Sequence, residues 1–184
     1  SRFESNTAAH GSGGAVSCQK CASMEFHNST IFKYNFASVS GGALDFNSPK
    51  YPILSSYSLF IGNIAATKNG GAIDAHHGSW SSNGDCFESN FAQLGSGGAF
   101  ASFDSFIHFD ALTSCIKNKA PHGGGGCILW EPEASDHAVS PHTRWRLGSI
   151  SFRTPVTGLE VPHSLYPLPP DLNWRRASIA RPPP

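Results

Sequence analysis

The chain has 184 residues, with 13 basic and 13 acidic side chains, a formal net charge of +0, and only 14% of its residues charged. Balanced charge at low density argues against nucleic acid and anionic membrane surfaces as partners, because both select strongly basic faces. No apolar run reaches the ~20 residues that a transmembrane helix needs, so no membrane-spanning segment is read.

The opening residues, Ser1-Arg2-Phe3, form neither an initiator methionine nor a signal peptide, and they fall inside a repeated unit. The chain is therefore expected to be a piece of a longer protein or a processed product. The repeated unit begins as FESNTAAHGSGGAV at Phe3, FKYNFASVSGGAL at Phe32, FIGNIAATKNGGAIDA at Phe60, FESNFAQLGSGGAF at Phe87 and CIKNKAPHGGGGCI at Cys115. Its asparagine falls at Asn6, Asn35, Asn63, Asn90 and Asn118, and the first glycine of its pair at Gly13, Gly41, Gly70, Gly97 and Gly125. A period of about 28 residues marks a stacked repeat architecture.

Two strands are predicted in each copy. One runs into the aromatic residue, as in Ser29-Thr30-Ile31-Phe32 and Tyr57-Ser58-Leu59-Phe60. The other follows the glycine pair, where Val16, Leu44, Ile73, Phe100 and Ile128 begin a mostly period-two alternation. Between them, the stretches 47–56, 76–85 and 103–112 read as turns and loops on one side, with room for a third short strand. Sustained helical periodicity is absent, and the leucine framework of a leucine-rich repeat is missing.

The remaining solution is an all-β parallel solenoid of about five coils, with equivalent residues stacked at the inter-strand spacing of ~4.8 Å. Each recurrent residue then has a structural reason. The asparagines form a ladder of amides and suit a left-handed corner. The glycine pair permits a tight turn with positive φ. The phenylalanines stack along the interior, and the alanine two after the asparagine is small where chain meets chain.

From residue 131 the composition changes. Ten of thirteen prolines and six of seven arginines lie in 131–184, whereas all six lysines lie before it. The expected organisation is a repeat domain over 1–130 and a non-repeat, extended Pro/Arg-rich tail over 131–184. Trp145, Phe152, Leu159 and Trp174 make the tail too apolar for a plain linker, so it is expected to dock on the last coil or on a partner.

The combination of FxxN with GGA and a following Ile, Leu or Val resembles the repeat of the chlamydial polymorphic outer membrane proteins and of related right-handed parallel β-helices with pectin-lyase-like architecture. That resemblance covers residues 3 to about 130. It implies a right-handed β-helix in a surface-exposed, adhesin-like region.

Asp45 and Asp74 hold the position between the two inward residues of the strand after the glycine pair, which places them side by side on adjacent coils with His76 and His77 nearby. Paired carboxylates on adjacent coils can serve acid catalysis on glycosides or calcium binding. Because the rest of that row is Ser17, Ala101 and Leu129, the pair is read first as a solvated surface pair. The nine histidines fall at different repeat phases, apart from His10 and His122, so they predict no metal site. HGGGGC at 122–127 lacks the Lys-Ser/Thr of a phosphate loop and reads as a glycine-rich corner. Five cysteines leave at least one unpaired. Cys18 and Cys21 read as one disulfide or two buried thiols, and Cys115 and Cys127 as core fillers.

The reading is a non-enzymatic repeat protein, extracellular or at a cell surface, without cofactor or metal, that offers a rigid face to a protein or glycan partner. Asp45, Asp74 and His76 are its candidate binding residues. One alternative is a structural subunit joined to neighbours through its first coil and tail. Another is a carbohydrate-active enzyme using the two aspartates.

Overall fold

The computed structural model describes residues 1–27, 29–110 and 112–131, and the expectations for the tail lie outside them. The chain winds as an all-β parallel solenoid of about five coils, the first four visiting four sheets in turn and the last contributing strands to two of them among the described residues. Sheet A contains Arg2–Glu4, Ile31–Lys33, Leu59–Ile61, Cys86–Glu88 and Ser114–Ile116. Sheet B contains Thr7–Ala8, Phe36–Ala37, Ile64–Ala65 and Phe91–Ala92. Sheet C contains Val16–Gln19, Leu44–Asn47, Ile73–His76, Phe100–Phe103 and Ile128–Glu131. Sheet D contains Glu25–Phe26, Ile53–Ser56, Ser79–Asn83 and Phe106–Phe109. All pairings are parallel and in repeat register, as in Phe3 with Phe32 and Phe60 with Phe87.

Register turns sequence repetition into columns. Rings of Phe3, Phe32, Phe60 and Phe87 stack face to face with centroids 4.8–4.9 Å apart. Trp80, Phe46, Phe100 and Ile53 fill the remaining interior from sheets C and D. At the corner between sheets A and B, the Asn63 amide nitrogen donates to Asn90 Oδ1 at 2.9 Å and to the Phe32 carbonyl at 3.0 Å. Its oxygen accepts the Asn35 backbone N–H and side-chain amide at 3.0 and 2.9 Å. Every hydrogen-bonding group on this buried amide is therefore satisfied, and Asn35 and Asn90 repeat the arrangement.

The left-handed residue at this corner is the one before the asparagine: Ser5, Tyr34, Gly62, Ser89 and Lys117 have φ of 55–61°. The asparagine itself is kept for its amide, and the expectation that it supplies the corner conformation is corrected. The first glycine of each pair does have positive φ, 59–69°. A Cβ on the second, at Gly42 or Gly71, would overlap the backbone carbonyl of the next coil's glycine, so only glycine fits there.

Two further expectations change. The stretches 47–56, 76–85 and 103–112 each contribute a strand to sheet D, so they form a wall of the solenoid and do not project as a cluster of loops. Cys115 and Cys127 are joined in a disulfide, as are Cys18 and Cys21, while Cys86 is free and half-buried.

Candidate functional site

The turn that ends in each glycine pair folds back across the outer face of sheet C. The first glycine lies over the strand that follows it, and a Cβ on Gly41 would come 3.2 Å from Asp45 Cα. A row that alternation predicts to be outward is thereby covered. Asp45 is 8% exposed and Asp74 3%, so the expectation of a solvated pair is corrected. The two are register partners on neighbouring strands, as predicted.

His76 lies on the same strand as Asp74, and its Nε2 is 3.2 Å from Asp74 Oδ2. Its ring stacks on Phe103 of the next coil at 4.9 Å and 15°. Asp45 Oδ2 accepts weak hydrogen bonds from Ser17 Oγ at 3.4 Å and Gln19 Nε2 at 3.3 Å. Asp74 Oδ1 is buried and has no hydrogen-bond partner among the described residues. Asp45, Asp74, His76, Phe103 and Gln19 line an open groove of ≈ 380 Å³, together with Asn47, Lys68 and Asn69.

Burial raises the Asp45 carboxyl to about 6, and the neighbouring Asp74 charge adds to the rise, against smaller opposing effects from His76, Ser17 and Gln19. The hydrogen bond to Asp74 is the largest influence on His76 and raises it above its ordinary value, although burial opposes the change. The groove therefore holds a carboxyl raised to about 6 beside a histidine raised above its ordinary value.

Gln19, Asn47 and Phe103 were not singled out by the sequence reading. They occupy the same register row as His76, two residues beyond the row of the aspartates, so period-two counting carried one step further would have found them. A third buried acid, Asp85, also escaped notice. It is satisfied, accepting the Ser58 N–H at 2.8 Å and the Ser82 hydroxyl, and burial raises its carboxyl. It shares a column with Thr30, Ser58 and Thr113 at the corner between sheets D and A, which makes it a structural polar residue.

His77 lies outside the groove cluster, paired with Asp104 across coils at 2.8 Å. Among the described residues, no group of three or more histidine, cysteine or acidic side chains could hold a metal ion. None of the described residues forms a helix long and apolar enough to cross a membrane.

Four sheets, an asparagine ladder and a glycine-pair corner define a repeat type, and comparison with known families matches part of one copy. The Chlamydia polymorphic membrane protein repeat matches residues 57–76. One coil of this β-helix is similar to that repeat. The match begins at the corner residue Tyr57, after the sheet D strand Ile53–Ser56, and spans all of Leu59–Ile61 and Ile64–Ala65 and the sheet C strand that bears Asp74 and His76. No curated protein matches the chain, and no solved structure does.

Proposed function

We propose that this chain is a non-catalytic, surface-associated β-helix domain that binds a glycan or protein partner through the sheet C groove. The observation that carries the reading is the buried, unpartnered Asp74 Oδ1 beside that groove. A polar atom withheld from water and left without a donor is costly unless something supplies one, and a ligand hydroxyl or amide does so. Around it stand the amides of Gln19, Asn47 and Asn69 and the flat His76–Phe103 stack, a mixture suited to a ligand with both hydroxyls and an apolar face. The groove's opposing charges, two carboxylates against Lys68 and a readily protonated His76, leave it near neutrality and favour an uncharged ligand. A surface location is supported by the repeat's membership of a membrane protein family.

The test is a glycan array probed with the full chain, wild type and Asp74→Ala. Saturable binding that the substitution lowers by roughly tenfold or more would support the reading. Failure to bind any glycan, or binding indifferent to Asp74, would sink the glycan form of it. Protease shaving of intact source cells tests location independently.

A second reading is favoured by Asp45 alone. A carboxyl raised to about 6 beside a second carboxylate suits a general acid in glycoside cleavage. Release of new reducing ends from a bound glycan, abolished by Asp45→Asn, would displace the binding-only reading.

A further inference from the structure

Sheet A has an outer face that the groove does not use. Its inward residues are the stacked phenylalanines, so two outward rows flank them. One row reads Arg2, Ile31, Leu59, Cys86, Ser114 and the other Glu4, Lys33, Ile61, Glu88, Ile116, strand by strand. Solvent-facing positions of a sheet are ordinarily polar, yet the centre of this face is Ile31, Leu59 and Ile61, all half-buried. Tyr57 and Tyr34 stand at its two corners, 54% and 55% exposed, with their rings against Gly84 and Gly62.

The second row is self-complementary about its middle. Lys33 and Glu88 lie one strand either side of Ile61. Two strands separate them within the chain, roughly 9.6 Å, which is too far for an ion pair. Glu88 has no ion-pair partner among the described residues, and the Lys33 ammonium rests 4.7 Å from the Tyr34 ring centroid. At the end of the face Glu4 is already neutralised by Arg2, at 2.6 Å.

A two-fold axis parallel to the strands and passing over Leu59–Ile61 reverses the strand order while keeping each row opposite itself. Lys33 of one copy then meets Glu88 of the other, twice. Ile61 meets Ile61, Leu59 meets Leu59, Ile31 meets Cys86, and the two Tyr57 rings come together at the rim. We infer that sheet A is a self-association face on which a second copy of this chain packs antiparallel, its apolar centre closed by reciprocal Lys33–Glu88 pairs. An isologous contact of this kind closes on itself and leaves both sheet C grooves free on the outside of the pair.

Sedimentation equilibrium of the full chain tests this. Expected is a reversible dimer. Lys33→Glu and Glu88→Lys should each weaken it by roughly tenfold or more, and the combined Lys33→Glu/Glu88→Lys chain should recover the original affinity. A wild type that stays monomeric, single reversals without effect, or a double reversal no better than the singles would each overturn the inference. Should a reversal perturb folding by circular dichroism, Tyr57→Cys in a Cys86→Ser background replaces it. A disulfide-linked dimer formed on mild oxidation supports the two-fold over Leu59, and its absence overturns it.

Discussion

The corner between sheets A and B and the outer face of sheet C are built on the same coils, and they treat buried polar atoms in opposite ways. At the corner, the amide of Asn63 has each of its partners at 2.9–3.0 Å, and neighbouring coils repeat the geometry. On sheet C, Asp74 buries an oxygen with no partner, and Asp45 beside it holds its proton up to about pH 6. The first region changes little from coil to coil because every coil must stack on the next. The second departs from its own column, Ser17 to Asp45 to Asp74 to Ala101. In a repeat protein, residues shared by all coils report stacking, and a costly departure confined to two coils reports a site.

Breaking the corner should cost most. Asn63→Ala leaves the Phe32 carbonyl, the Asn35 N–H and the neighbouring amides without their partners in a place water does not reach. A loss of roughly 4 kcal/mol is expected from several orphaned groups at once, read by urea unfolding. An effect below about 1 kcal/mol would mean that the ladder is decorative. Gly71→Ala should follow at roughly 3 kcal/mol, since the new methyl overlaps the Gly98 carbonyl and the Phe91 backbone, neither of which can move without shifting a coil. Gly11→Ala is the control, because nothing lies within 4 Å of its added Cβ.

What could be read in advance follows the same division. The fold was legible because Asn, Gly-Gly and Phe recur at one period, and periodicity survives turn lengths that vary between copies. Sheet B was not, since two-residue strands such as Phe36–Ala37 carry no alternation to detect. The pairing of Asp45 with Asp74 followed from repeat register alone. Their burial did not, because it comes from the glycine turn crossing back over the strand, a tertiary contact invisible to period-two counting. The Cys115–Cys127 disulfide was missed for a related reason: phase placed each cysteine in a core column without showing that the two columns touch.

The sheet C side is sharpened by a gain in stability. Asp45 is raised from 3.8 to about 6, first by burial, so the folded state binds its proton more tightly than the unfolded state does. Its contribution is full below pH 3.8 and is lost as pH rises through about 6. About two pKa units correspond to an upper bound on the order of 3 kcal/mol. His76 acts in the same sense: raised chiefly by its bond to Asp74, it stabilises below 6.5 and ceases to as pH passes its folded value. Asp45→Asn cannot ionise, so it should match the wild type near pH 4 and exceed it by about 2 kcal/mol at pH 7. Urea unfolding at four pH values between these limits checks it, and parallel curves would show that Asp45 does not carry the cost.

The smallest expected effect is the most discriminating. His76 and His77 are adjacent, each 2.8–3.2 Å from an aspartate, yet they belong to different surroundings. The Asp104 partner of His77 is 42% exposed, whereas the Asp74 partner of His76 is 4% exposed. Water screens the first pair and competes for its hydrogen bonds, so His77→Ala should change stability by less than about 0.5 kcal/mol and leave glycan binding unaltered. His76→Ala removes the only donor to Asp74 Oδ2 among the described residues and the ring stacked on Phe103, so it should weaken binding while His77→Ala does not. Equal effects from the two substitutions would locate the binding surface on the exposed corner, outside the groove.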